Sequence, residues 1–215
     1  MKKGLTYIIF VIDRSGSMSS IRDDMIGGFN SFIKKQKDAN IGECRVFAYK
    51  FDTNYEIIFE NMDVNSVPLL DNNNYVPRGG TALYDSLGFT IDNMGKRLSN
   101  TDESDRPEKV LIVTITDGED NSKLSNVEAD YTSAKVKEMT KHQTDNYKWE
   151  FAYIGANQDA WAVGAAMGVS NNLNYTATSR GTAIAFDTLG SSTIKYRSGK
   201  TRGFTFANTD EKDDK

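Results

Sequence analysis

The sequence predicts a doubly wound α/β domain in three layers, with a mostly parallel central sheet, one antiparallel edge strand and helices on both faces. Three observations carry this prediction. Apolar runs that read as strands alternate along the chain with segments of helical periodicity, the pattern of parallel strands joined by helical crossovers. Residues 7–12 (YIIFVI) and 110–115 (VLIVTI) are apolar with little alternation, as in strands covered on both faces. Residues 43–51 and 55–59 are separated only by Asp52, Thr53 and Asn54, too short a link for a parallel crossover, so they pair as a hairpin and place one antiparallel strand in the sheet.

Taken in order, the first strand ends at Asp13 and is followed by Ser15 and Ser17. Ile21, Met25, Phe29, Phe32 and Ile33 then recur at helical spacing, with Lys34, Lys35 and Lys37 where cations suit a helix end. After the hairpin, residues 61–77 read as a polar loop containing Asn72, Asn73 and Asn74. Gly79 and Gly80 allow a tight turn into a helix with Leu83, Leu87, Ile91, Met94 and Leu98 on one face. A charged link, residues 101–109, leads to the strand that ends at Asp117. Residues 126–142 read as a helix through Val127, Tyr131, Ala134 and Met139. A strand follows at 149–154, then a short Ala-rich helix at 159–167, a short strand at 172–175 and a last helix at 182–195. One domain is expected over residues 1–206, and residues 207–215 read as a charged, disordered tail.

Composition narrows the function. A chain of 215 residues with 38% hydrophobic content buries one substantial core. The net charge of −4 gives no basic footprint and argues against a nucleic-acid partner. No run approaches the roughly 20 apolar residues of a membrane span, and Lys2 and Lys3 lead into a strand instead of a cleavable apolar segment. Cys44 is the one cysteine and sits in a strand pattern, so a buried, reduced thiol and a cytoplasmic setting are expected. With His142 the single histidine, a zinc site or a Ser/His/Asp triad has little material, and no GxxxxGK[ST] phosphate loop occurs.

The chemistry gathers at strand ends. In open α/β sheets ligands bind beyond the carboxyl ends of the strands, where this chain delivers Asp13, Ser15 and Ser17. One carboxylate with two hydroxyls suits a hard cation, although Asp-x-Ser-x-Ser after a strand also reads as a turn and helix N-cap. Thr81 likewise reads both as an N-cap and as a ligand. Together, DRSGS at 13–17, RGGT at 78–81 and TDGED at 116–120 resemble the von Willebrand factor A domain and its metal-ion-dependent adhesion site. The resemblance extends over residues 4–199 and is to short stand-alone forms that occur in bacteria and phages. It implies Asp13, Ser15, Ser17, Thr81 and Asp117 as metal ligands for Mg²⁺ or Mn²⁺, with Ca²⁺ also accommodated. It further implies that a Glu or Asp of a protein partner completes the coordination.

Arg14, Arg78, Gly80, Gly118 and Glu119 are expected on the rim that meets this partner, with Arg14 and Arg78 as exposed charges steering an acidic group. Glu119 and Asp120 bear on the charge of the site, because each added carboxylate near the ion weakens its pull on a further anion. Two competing readings stand beside this one. Haloacid dehalogenase-type phosphotransferases also place a nucleophilic Asp after their first strand, with Mg²⁺, but they use a second Asp where this chain has Ser15. The other is an α/β module in which the cluster only caps and turns the backbone.

Overall fold

A computed structural model describes residues 1–157 and 159–206; the charged tail expected at 207–215 lies outside the described residues. The strands are β1 (Lys2–Asp13), β2 (Glu43–Phe51), β3 (Tyr55–Asp63), β4 (Pro107–Thr116), β5 (Glu150–Ala156) and β6 (Asn171–Tyr175). The main helices are α1 (Arg22–Asp38), α2 (Leu83–Ser99), α3 (Ser133–Tyr147), α4 (Ala160–Ala166) and α5 (Ser179–Arg197). The sheet order is β3-β2-β1-β4-β5-β6, parallel throughout except for the β2–β3 hairpin. The chain builds outward from β1 to β2 and β3, then crosses to β4 on the other side. That reversal opens a crevice beyond the carboxyl ends of β1 and β4.

Both faces of β1 are buried because its side chains alternate between two cores. Ile8, Phe10 and Ile12 join Phe29 and Phe32 of α1 and Leu189 of α5 on one face. Phe10 meets the rings of Phe29 and Phe32 edge-on, each at 5.1 Å, the geometry that aromatic quadrupoles favour. Tyr7, Ile9 and Val11 meet Leu83, Leu87 and Ile91 of α2 on the other, where Val136 and Ala160 complete the layer. At about 1.5–3 kcal/mol for each fully buried large apolar side chain, this two-sided burial fixes the register of β1 and with it the place of Asp13. The free edge is blunted: β3 shifts register against β2 twice, and Asn126 bonds both the N–H and the carbonyl of Tyr55 at 2.8 Å.

Three expectations are corrected. The helix expected at 126–142 begins only at Ser133, where the Thr132 side chain accepts the Lys135 N–H. Val127 and Tyr131 belong to an irregular stretch instead, because its backbone donors find a carboxylate on α2: Leu124 and Tyr131 donate to the two oxygens of buried Asp85 at 3.1 and 2.8 Å. The polar loop expected at 61–77 starts inside β3 and is pinned by Leu70 and Tyr75, both buried. Thr81 is not the N-cap of α2; that position is Ala82, and the first turn is held by Asp120, whose carboxylate accepts the Tyr84 N–H at 3.0 Å.

Candidate metal centre

Asp13 is the last residue of β1 and fully buried. Its Oδ1 accepts the Ser15 N–H and its Oδ2 accepts the Thr116 hydroxyl, both at 2.6 Å. Its carbonyl accepts the hydroxyl of buried Tyr75 at 2.6 Å. Beyond it the chain turns through a 3₁₀ segment, Gly16–Ile21, anchored by buried Met18 and Ile21. This turn brings the Ser15 and Ser17 hydroxyls to 3.0 Å from each other, and Ser17 Oγ donates to Asp117 Oδ1 at 2.7 Å. Two carboxylates and two hydroxyls from the ends of β1 and β4 are thereby brought into one chain of oxygens.

Thr81 reaches the same crevice from the loop before α2. Its hydroxyl lies beside Gly118, where an added Cβ would sit 3.6 Å from it. Its backbone is clasped by the loop after β4: the Thr81 N–H donates to Asn121 Oδ1 at 2.8 Å, and the Thr81 carbonyl accepts Asn121 N–H at 2.9 Å and Ser122 N–H at 3.2 Å. Gly80 packs closely against the same loop: a Cβ there would fall 2.0 Å from Ser122 Oγ and 2.8 Å from Asn121 Oδ1, so both side chains would have to move. Gly79 has φ +68°, and its carbonyl accepts the Gly16 N–H at 3.0 Å, which ties this loop to the serine turn.

Burial governs the electrostatics of the two carboxylates. Burial pushes the Asp13 carboxyl up to about 6, against the hydrogen bonds from Thr116 and Ser15 that lower it; the charge of Asp117 raises it further. Half-buried Asp117 is raised as well, by burial, partly offset by Ser17. Among the described residues, no three His, Cys, Asp or Glu side chains gather into a metal-holding group, so an ion here would rest on two carboxylates and the hydroxyls. That donor set fits a hard divalent cation: it is all oxygen, carries two formal charges and leaves room for water or a further anion. Glu119 is exposed, and Asp120 is turned to α2, so neither adds a carboxylate to this chain of oxygens.

The rim differs from expectation at one residue. Arg14 is buried, not exposed; its side chain reaches Asp52 at 3.3 Å and pairs closely with Glu56. Arg78 remains about half exposed but also bonds Asp52 and Glu56, at 2.9 and 2.8 Å. Thr116, Tyr75 and Asn121 hold the site together and were not singled out from the sequence. Thr116 had one signal, its place immediately before Asp117 at a strand end.

No family model matches the chain, and no curated protein matches it. Solved structures do. The PilB minor pilin from Streptococcus sanguinis aligns with TM-score 0.62 and 13% identity over 88% of this chain and 61% of that one. The vWF domain of the type V pili tip protein Mfa5 from Porphyromonas gingivalis aligns with TM-score 0.61 and 12% identity over 92% of this chain and 97% of that one. Proximal thread matrix protein 1 from the mussel byssus, with a zinc-occupied MIDAS motif, aligns with TM-score 0.57 and 12% identity over 88% and 46%. The chain thus spans about three fifths of the pilin and under half of the mussel protein. From its sheet order, its antiparallel edge strand and these alignments, the chain has the von Willebrand factor A fold.

Proposed function

We propose that this chain is a divalent-cation-dependent protein-interaction module, and not an enzyme. The observation that carries the reading is the convergence of Asp13, Ser15, Ser17 and Asp117 at the carboxyl ends of β1 and β4, with Thr81 beside Gly118. These five residues would hold Mg²⁺ or Mn²⁺, with Ca²⁺ also accommodated. When bound, the ion supplies a positive centre that a Glu or Asp of a protein partner can ligate. The protein's own part is to hold the oxygens in place, keep the number of nearby carboxylates low and present the surrounding loops. The zinc-occupied motif of the mussel protein supports a divalent ion in this fold.

A phosphoryl-transfer role for Asp13 is disfavoured by its surroundings. The residue two positions on is Ser15, which offers no carboxyl for acid or base work. We place the protein in the cytoplasm, in keeping with its buried free thiol. Among the described residues no helix is long and apolar enough to cross a membrane.

The test is a pull-down followed by calorimetry. Partner binding is expected in Mg²⁺ or Mn²⁺, lost in EDTA, lost in Asp13→Ala and Thr81→Ala, and lost when one partner Glu or Asp becomes Gln or Asn. A partner that binds equally well in EDTA would overturn the reading.

A further inference from the structure

The Asp52 carboxylate bonds to residues beside the five oxygen ligands, and it is the point where both ligand loops are fastened. It lies in the hairpin turn one residue past Phe51, the register partner of Asp13, and is fully buried. Its Oδ2 accepts Arg78 Nε at 2.9 Å and lies 3.3 Å from Arg14 Nε. Its Oδ1 accepts the Asn54 N–H at 2.6 Å, which fixes the carboxylate in its own turn. Its carbonyl accepts the Ala82 N–H at 3.3 Å. The residues it meets flank the ligands on each side: Arg14, paired with it by charge alone because its Nε makes no hydrogen bond, stands between Asp13 and Ser15, Arg78 opens the segment that leads to Thr81, and Ala82 follows it.

Backbone bonds complete the same junction. The Arg14 N–H donates to Phe51 O at 2.8 Å, the Arg78 N–H to Arg14 O at 2.7 Å and the Gly16 N–H to Gly79 O at 3.0 Å. Glu56 adds a second anchor, accepting both arginines on one oxygen, with Lys50 3.5 Å from the other. Three loops that are far apart in sequence are therefore joined through one buried carboxylate.

We infer that Asp52 is the positioning residue of the metal centre: through Arg14 and Arg78 it sets the serine turn and the Thr81 loop at the spacing a divalent cation requires. The inference rests on the reading of that centre as a cation site. Groups that orient metal ligands from behind act on affinity without touching the ion, and their loss typically weakens binding about 10–100-fold. The two arginines are neutralised by Asp52 and Glu56, so their positive charge does not repel the ion they help to seat.

The experiment measures Mn²⁺ binding to the full chain by calorimetry and, in EDTA, amide hydrogen exchange by NMR. Asp52→Asn is expected to weaken Mn²⁺ about 10-fold or more. It should also speed exchange at the Gly16 and Arg78 amides while those of Ile112 and Val113 in β4 keep their wild-type protection. A uniform acceleration across the sheet, or Mn²⁺ affinity within twofold of wild type, would overturn the inference. Because Asp52→Asn leaves Arg14 buried and can prevent folding, Arg78→Gln at the half-exposed end supplies the second arm. Removing a cation near the site strengthens Mn²⁺ binding if only charge matters, whereas loss of positioning weakens it; tighter binding or no change in Arg78→Gln overturns the inference. A wild-type chain that takes up no Mn²⁺ overturns the metal reading itself, and the exchange arm then still decides whether Asp52 holds the two loops together.

Discussion

The carboxylates at the ends of β1 and β2 are neighbours in the sheet but live in opposite electrostatic company. Asp52 and Glu56 are met by Arg14, Arg78 and Lys50, and despite the cost of burial Glu56 is held below the ordinary carboxylate range by those cations. Asp13 and Asp117 are met by hydroxyls and backbone donors, and burial raises both. One cluster carries its own counter-charge; the other has none among its side chains and, in the function proposed above, takes it from a divalent ion. The difference shows that burial of acids alone does not mark a cation site. What marks it is buried acid surrounded by neutral oxygens and without an internal cation.

The largest effect should come from breaking the self-neutralised cluster. Asp52→Asn leaves the Arg14 guanidinium buried without its full partner, and urea unfolding in EDTA should show a loss of about 3–5 kcal/mol. A loss below about 1 kcal/mol would mean that Arg14 finds water or relies on Glu56 alone.

The metal side of the comparison predicts a gain. At free Mg²⁺ or Mn²⁺ about 100-fold above its dissociation constant, the folded state gains about 2.7 kcal/mol, a rise in melting temperature of roughly 5–10 °C for a chain of this size. Melting curves that coincide in EDTA and in either ion would remove the contrast between the two clusters.

An effect of similar size follows from pH. The folded-state pKa of Asp13 is raised from 3.8 to about 6, so burial of its neutral form stabilises the metal-free protein below about pH 4. That contribution is lost as pH rises from about 4 through 6, on the order of 3 kcal/mol. The gain from added metal should grow over the same window, since the ion requires the ionised carboxylate. Asp13→Asn should flatten both trends in a pH series of melts; a slope unchanged in that variant would assign the titration to another group.

The candidate metal centre is more legible in the sequence than its support, for a physical reason. Asp13 and Asp117 end apolar runs that only a doubly covered strand explains, and Thr81 follows two glycines at a helix start, so local pattern placed each at the same end of the sheet. Asp52 gave no such signal. In the turn Asp-Thr-Asn it reads as ordinary hairpin chemistry, and its partners lie 38 residues before it and 26 after it. Arg14 was misplaced on the surface because an arginine in a polar loop usually is solvated, and only the fold brings Asp52 and Glu56 beneath it. Residues 126–131 differ for a related reason: their spacing is helical, but the Leu124 and Tyr131 amides on either end of the stretch are held by Asp85 on α2, a contact that local spacing does not reveal.

Cys44, packed in β2 with 1% of its surface exposed, has a practical consequence of its own. Burial pushes its thiol up to about 11, so near neutral pH only about one molecule in several thousand carries the thiolate that reacts with maleimides and disulfide reagents. The chain therefore behaves toward such reagents as though it had no cysteine at all. A cysteine introduced at exposed Ser19, beside the serine turn, would be the single labelling point for a fluorophore or spin probe and would leave the native thiol in place.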